Sequence, residues 1–576
     1  MKKRFVSIVL ACIMAFGALT GCGDKAQAGS SASRRESRHG DTKESNISDI
    51  ELSDAGCKSI AAKYKDKVDE DGGYLYSTNV CLECEEASFD SSANSGGAAK
   101  VSDSYYGGEE VVLNTENYAH VDENGFQSVY TSPLSTFAAD VDTASYSNVR
   151  RMINSGYTIE NIPAGAVRTE EFLNYFTYDY DGPENGEPFG VNAEIAECPW
   201  NEDHELLMLG LQTEAIDFSE APDSNIVFLI DVSGSMYDEN KLPLLKQSFE
   251  LLIDNLGEDD CVTIVTYASG NDTVIEGVPA SDKETIINAL DSLEAGGYTN
   301  GSGGIVTAYE MAEKYYIKGG NNRIILATDG DFNVGLTSES DLHDLITEEK
   351  DNGIFLSCLG FGMGNYNDET METLADDGNG NYAYIDSLSE AKKVLVEELG
   401  ATIVTVAKDV KFQVEFNPEY VDEYRLVGYE NRLMDDEDFE DDTKDGGEIG
   451  AGHSVTVMYE IVPAGEGSSK ELKYQNNETS AAADSDEWMT LSVRYKDPDE
   501  DTSELLEYTF GEDDYSRKPS DDFKFASAVA EFSMVLSNSE WIGDGSIEHV
   551  QSILDDVDFD DDEYKEEFEY LVNHIS

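Results

Sequence analysis

Asp231-Val232-Ser233-Gly234-Ser235-Met236 sets a carboxylate and two hydroxyls at alternate positions directly after the apolar run Asn225–Ile230. Further along, the apolar run Ile324–Thr328 ends in Asp329-Gly330, and Gly296-Gly297-Tyr298-Thr299-Asn300 lies between the two. Carboxylate and hydroxyl oxygens brought together without His or Cys form a donor set for a hard cation. A plainer role competes, in which Asp231 and Asp329 cap the helices that follow and Ser233 and Ser235 satisfy backbone groups. Capping explains each residue singly but not the set.

Other reactive patterns are weaker. Cys81-Leu82-Glu83-Cys84 is a CxxC with no second pair or nearby His to complete a zinc set, and a Ser/Glu-rich neighbourhood replaces the βαβ frame of a redox motif. Cys57 could join a disulfide outside the cytoplasm or stay an inert thiol, and Cys261 and Cys358 read as small core residues of strands. Asp331, Asn333 and the late Gly335 imitate the start of a calcium loop, but no closing Glu follows. No H-E-x-x-H occurs, nor a G-x-S-x-G elbow with a plausible His partner. Asp329-Gly330-Asp331 faintly resembles the nucleophile loop of haloacid-dehalogenase phosphatases, yet Asn333 stands where that family has Thr or Val. Metal-dependent phosphohydrolysis is therefore the minor alternative, and the expectation is a protein that is not an enzyme.

The elements needed to position these oxygens are legible. Apolar strands at 226–231, 262–267, 323–328, 354–359 and 382–385 alternate with helical spacing at 242–256, 283–293, 304–316, 340–352, 368–375 and 389–399. Continuous apolar strands separated by helices predict a parallel sheet covered on both faces, with its crevice at the carboxyl ends of the strands. Before this unit, 136–142 predicts a strand, 143–154 and 168–176 helices, and 191–195 and 206–212 alternating strands that read as exposed on one side. After it, period-two runs at 410–416, 424–429, 454–461, 488–495 and 505–510 predict an antiparallel sandwich, and two helices at 523–536 and 547–554 precede an acidic end. The acidic run Asp435–Asp442 reads as a solvated loop, and secondarily as a weak cation site.

The strand-end motifs resemble the metal-ion-dependent adhesion site (MIDAS) of von Willebrand factor type A (VWA) domains, over about 224–400. The flanks resemble YfbK-type VWA lipoproteins. The resemblance implies a Rossmann-like α/β VWA unit, inserted in or followed by the β sandwich with its C-terminal helices. It also implies Asp231, Ser233, Ser235, Thr299 and Asp329 as the ligand set, with Asp231 and Asp329 acting mainly through water or hydroxyl hydrogen bonds. Such oxygen ligands select Mg²⁺ first, with Mn²⁺ or Ca²⁺ as alternatives. Mostly neutral direct ligands leave a coordination position that a partner protein's acidic side chain can fill.

Length and charge frame this reading. The 576 residues fit several units: 1–21, a signal peptide; 22–110, a flexible acidic and Ser-rich linker; 115–215, an N-terminal α+β domain; 224–400, the VWA unit; and 405–576, the β sandwich with helices. Lys2, Lys3 and Arg4 precede an apolar run ending at Gly21-Cys22, a secretory signal whose end resembles a lipobox, which makes Cys22 the expected lipidation site. The expected location is extracytoplasmic, lipid-anchored to the cell membrane. A formal charge of −81, from 38 Lys plus Arg against 119 Asp plus Glu, repels phosphate backbones and argues against nucleic acid. No small-molecule substrate is indicated. The function expected is adhesion or envelope-complex assembly through the metal, with a purely structural scaffold as the alternative.

Overall fold

The computed structural model describes residues 116–575, apart from 120–121, 185, 216–220, 298–301, 331–338, 365, 399–403, 445, 466–479, 499 and 501. The expected signal, Cys22, the linker, Cys57, Cys81, Cys84, Thr299, Asp331, Asn333 and Gly335 lie outside the described residues.

The chain opens with β1 (Gln127–Ser128), β2 (Leu134–Ala138), α1 (Ala144–Asn154), α2 (Thr169–Tyr175), β3 (Phe189–Glu197) and β4 (Glu205–Thr213). An α/β unit follows: β5 (Ser224–Asp231), α3 (Leu242–Asn255), β6 (Cys261–Tyr267), β7 (Asn271–Pro279), α4 (Lys283–Asp291), α5 (Ser302–Lys314), β8 (Asn321–Thr328), α6 (Glu339–Asp351), β9 (Phe355–Phe361), α7 (Asp368–Asp377), β10 (Tyr382–Ile385) and α8 (Leu388–Lys392), which runs into a π-helical turn at Lys393–Glu397. The remainder is β11 (Thr405–Phe416), β12 (Val421–Val427), β13 (Ile449–Gly450), β14 (Ser454–Pro463), β15 (Glu487–Lys496), β16 (Glu504–Gly511), α9 (Asp521–Ser537), α10 (Ile547–Leu554) and α11 (Glu563–His574).

The α/β sheet runs β10-β9-β8-β5-β6-β7. Its central strand shows why it is apolar throughout: Ile226, Phe228 and Ile230 pack into one helix-covered core, and Val227 and Leu229 into the core on the opposite face. The sheet is not wholly parallel as expected, because β7 pairs antiparallel to β6 at the edge. Half-exposed along its length, β7 carries no continuous apolar run to announce it.

Insertion, rather than succession, is the observed arrangement. β4, from before the α/β unit, pairs antiparallel with β14 from after it, in a sheet ordered β1-β12-β14-β4-β3. The facing sheet runs β13-β11-β15-β16, with β2 also paired to β11. β4 is not exposed on one side as its alternation suggested. Leu207, Leu209 and Leu211 fill the sandwich, while Leu206 and Met208 meet Phe172, Phe532 and Phe568 of a helical layer on the outer face. That layer contains a helix not foreseen in the acidic end: α11 buries Phe568, Leu571 and Val572 beneath a charged exterior. In the acidic 435–442 segment Phe439 is buried, and Lys411 donates to the carbonyls of Asp438 and Asp441. Cys198 and Cys358 are buried free thiols, and Cys261 is half-buried. Among the described residues no helix is long and apolar enough to cross a membrane.

Candidate functional site

β5 delivers Asp231 to the carboxyl edge of the sheet, and the parallel neighbour β8 delivers Asp329 one residue past its own end. Both carboxylates are fully buried. Between β5 and α3 the chain makes a tight 3₁₀ turn at Gly234–Tyr237, which turns Ser233 and Ser235 toward each other with their Oγ atoms 2.9 Å apart.

Asp231 is held at both oxygens. Its Oδ1 accepts the Ser233 N–H at 2.7 Å and its Oδ2 accepts the Thr328 hydroxyl at 3.1 Å. Burial pushes its carboxyl up to about 6, opposed by the Ser233 N–H and reinforced by the charge of Asp329. Asp329 Oδ2 accepts from the Lys241 ammonium at 2.9 Å, an ion pair with Lys241 only 5% exposed.

The segment leading to Thr299 is pinned against this turn. Gly296 N donates to Val232 O at 2.8 Å, and Gly234 N donates to Gly297 O at 3.2 Å. Asp231, Ser233, Ser235 and Asp329 are thus gathered at one sheet edge, while Thr299 lies outside the described residues. Two participants escaped the sequence reading. Thr328 carries no signal in the sequence beyond that of the last residue of a strand. Lys241 sits just ahead of α3 and has no signature spacing to the carboxylate it meets 88 residues later.

The donor chemistry fits a hard divalent cation. Two ligands at about 2.1 Å on adjacent corners of an octahedron lie about 3.0 Å apart, and the two serine oxygens already stand at 2.9 Å. Among the described residues no group of three or more His, Cys, Asp or Glu side chains gathers as a metal cluster. The candidate centre is instead two carboxylates with hydroxyls. Beside it, Tyr237 and Met363 are exposed, at 79% and 46%, and a cavity of about 490 Å³ opens between Tyr237, Pro243, Lys246, Leu293 and Glu294.

Comparison with known proteins matches three family models along the chain: "von Willebrand factor" over residues 112–208, "von Willebrand factor type A domain" over 225–398, and "Uncharacterized protein YfbK, C-terminal" over 401–576. The uncharacterized protein YfbK of Escherichia coli (strain K12) is 41% identical over 468 residues, which is 80% of each chain. Inter-alpha-trypsin inhibitor heavy chain H3 of Mesocricetus auratus is 28% identical over 169 residues, 27% of this chain and 18% of that protein. A solved structure, von Willebrand factor type A from Catenulispora acidiphila, is 16% identical with a TM-score of 0.35, covering 63% of this chain and 89% of that one.

Proposed function

This chain belongs to the YfbK family of von Willebrand factor type A proteins, and from that premise we propose that its Asp231–Asp329 cluster is a divalent-metal site that docks an acidic side chain of a partner protein. The VWA domain belongs to a family of protein-interaction modules. The observation that carries the finer reading is the Ser233–Ser235 pair, set at the spacing of two adjacent metal ligands while Asp231 is locked behind them by Ser233 N and Thr328.

Ser233 and Ser235 would hold the ion directly, joined by Thr299, with Asp231 and Asp329 orienting the hydroxyls and bound water. Mg²⁺ held this way supplies a Lewis-acidic position that accepts a carboxylate oxygen. Such a bridge matters for a chain of charge −81, which otherwise repels acidic partners. The Ser233 hydroxyl meets both the Ser235 hydroxyl and the Asp231 carboxylate, an arrangement that orients hydroxyl oxygens toward an ion. The docking role is therefore one of adhesion or envelope-complex assembly, with the outer location resting on lipidation of Cys22.

Calorimetric titration of the full chain with MgCl₂ and MnCl₂ at about 0.15 M salt, where diffuse binding to surface carboxylates is screened, tests the site. The expected result is one saturable site in the wild type that is lost in Ser233→Ala and Asp231→Ala. Equal binding by these variants overturns the reading. A Cys22→Ala chain is expected to leave the membrane fraction for the soluble one, and retention there would remove the anchor.

A further inference from the structure

We propose that Lys241 is a resident cation of the docking site, which competes with the divalent ion for Asp329 and so sets the metal affinity low. The inference rests on the docking reading above and adds a regulating residue to it.

The same loop that supplies Ser233 and Ser235 supplies the ammonium. After the 3₁₀ turn, Lys241 N donates to Asp238 O and Lys241 O accepts Leu245 N, which fixes the residue at the mouth of α3. From there the side chain reaches inward, 5% exposed, and places Nζ 2.9 Å from the fully buried Asp329 Oδ2. The path is built for it. The stem crosses Gly362, where an added Cβ would stand 2.3 Å from Lys241 Cε and 2.4 Å from Cγ. Gly362 has φ +78°, a conformation that glycine adopts without strain, and its carbonyl accepts the Tyr384 hydroxyl. A lysine on a solvated loop has no need of such a channel.

The consequence is electrostatic. A buried carboxylate without a nearby positive charge is costly, so the ammonium compensates Asp329 and holds it in place when no metal is bound. A divalent ion arriving beside Ser233 and Ser235 meets a fixed like charge on the carboxylate it must share. Binding therefore requires the ammonium to yield or the ion to tolerate it, and the site fills only at high divalent concentration. Partner docking is thereby tied to the ambient cation level.

Three chains decide it: wild type, Lys241→Met, which keeps the stem and removes the charge, and Gly362→Ala, which keeps the lysine and blocks its path. MnCl₂ is titrated into each, and melting temperature is read in EDTA and in saturating MnCl₂. Lys241→Met is expected to bind Mn²⁺ at least about tenfold more tightly than wild type, to melt lower in EDTA, and to recover that loss with Mn²⁺. Gly362→Ala is expected to shift affinity in the same direction, and it answers the question if Lys241→Met does not fold. A purely structural lysine would lower melting without tightening metal binding, so unchanged or weaker Mn²⁺ binding by the folded variants overturns the proposal. Saturable binding in wild type that is absent from Ser233→Ala keeps the docking reading alive in that event. Absence of saturable binding from all three chains would bring down both.

Discussion

Arg168 and Asp368 stand 200 residues apart in the chain, yet Arg168 Nη1 lies 2.6 Å from Asp368 Oδ2, with side chains 5% and 1% exposed. Arg168 leads into α2, outside the α/β unit, and Asp368 opens α7 within it. Two more arginines repeat the relationship. Arg150 of α1 reaches Asp386 and, at 2.7 Å, Glu390, while Arg432, beyond β12, reaches Asp376 at 2.8 Å. In a chain so poor in cations, three of them hold the inserted unit against its frame. Removing one member of a buried pair leaves a charge uncompensated, which typically costs about 3–5 kcal/mol.

Arg168→Met is accordingly expected to lower stability to urea by about 3 kcal/mol or more. Adding Asp368→Asn to it should cost less than the sum of the two single changes, since the second removes one of the carboxylates that loss of Arg168 leaves orphaned, Glu171 being another. Additive losses would show that the pair does not act as a unit.

Thr328→Val tests the support behind the metal site. The hydroxyl donates to Asp231 Oδ2 and accepts from Gly330 N at 3.3 Å, so its loss frees the aspartate and strands a backbone donor. Metal affinity is expected to fall by about 10–100-fold, the usual effect of deleting a group that orients a ligand, with a stability loss of about 1–2 kcal/mol. Calorimetry with MnCl₂ beside urea denaturation reads both. Full retention of affinity would mean that Asp231 orients itself.

Much of this was legible in the chain. The alternation of apolar strands with helices, and the placing of Asp231 and Asp329 just after strands, came from hydrophobic pattern, which is strongest where a strand is buried on both faces. The pattern failed where burial did. β7 lies at an edge with little apolar content, and α11 shows only Phe568, Leu571 and Val572 among charges. β4 misled for the opposite reason: both of its faces are covered, one by strands and one by a helical layer in which α9 and α11 follow it by hundreds of residues. Lys241 was invisible because an ion pair across 88 residues leaves no local periodicity. The Ser233–Ser235 spacing, by contrast, is set within one turn and could be read directly.

Gly210 of β4 marks a close approach that sequence could not show. A Cβ added there would stand 2.2 Å from Cζ of Tyr180, whose hydroxyl pairs with Thr456 Oγ1 at 2.9 Å across β14. Gly210→Ala is expected to evict the ring and destabilise the chain by about 1–3 kcal/mol, as overpacking does. In a Tyr180→Ala background the same change should cost distinctly less, because the obstructing ring is gone. Melting temperatures of the four chains give the coupling, and an equal cost in both backgrounds would place the strain elsewhere.

Glu170 makes the fold sensitive to pH. It lies in α2, 3% exposed, and its Oε2 accepts Tyr429 N at 3.0 Å, so burial first and the charge of Glu430 second push its carboxyl up to about 7 from an ordinary 4.5. The native state then holds this proton between about pH 4.5 and 7 while the unfolded chain has released it. Stability therefore falls as pH rises through that window, and above it the full cost of a buried charge is present. Glu170→Gln is neutral at every pH and keeps an acceptor for Tyr429 N. Its advantage over wild type should be near zero at about pH 4.5 and grow to about 2–3 kcal/mol above pH 7.5. Any penalty from the extra amide N–H groups shifts the whole curve without tilting it, so the slope reports the titration of Glu170 together with its effect on the neighbouring Glu430 and Glu171 carboxyls. Glu372 and Glu390, which burial likewise raises to about 7, tilt both chains alike and cancel in the difference. Urea midpoints of the two chains at intervals between pH 5 and 8 measure the gap, and a gap that stays constant across that range would show that Glu170 is ionised throughout.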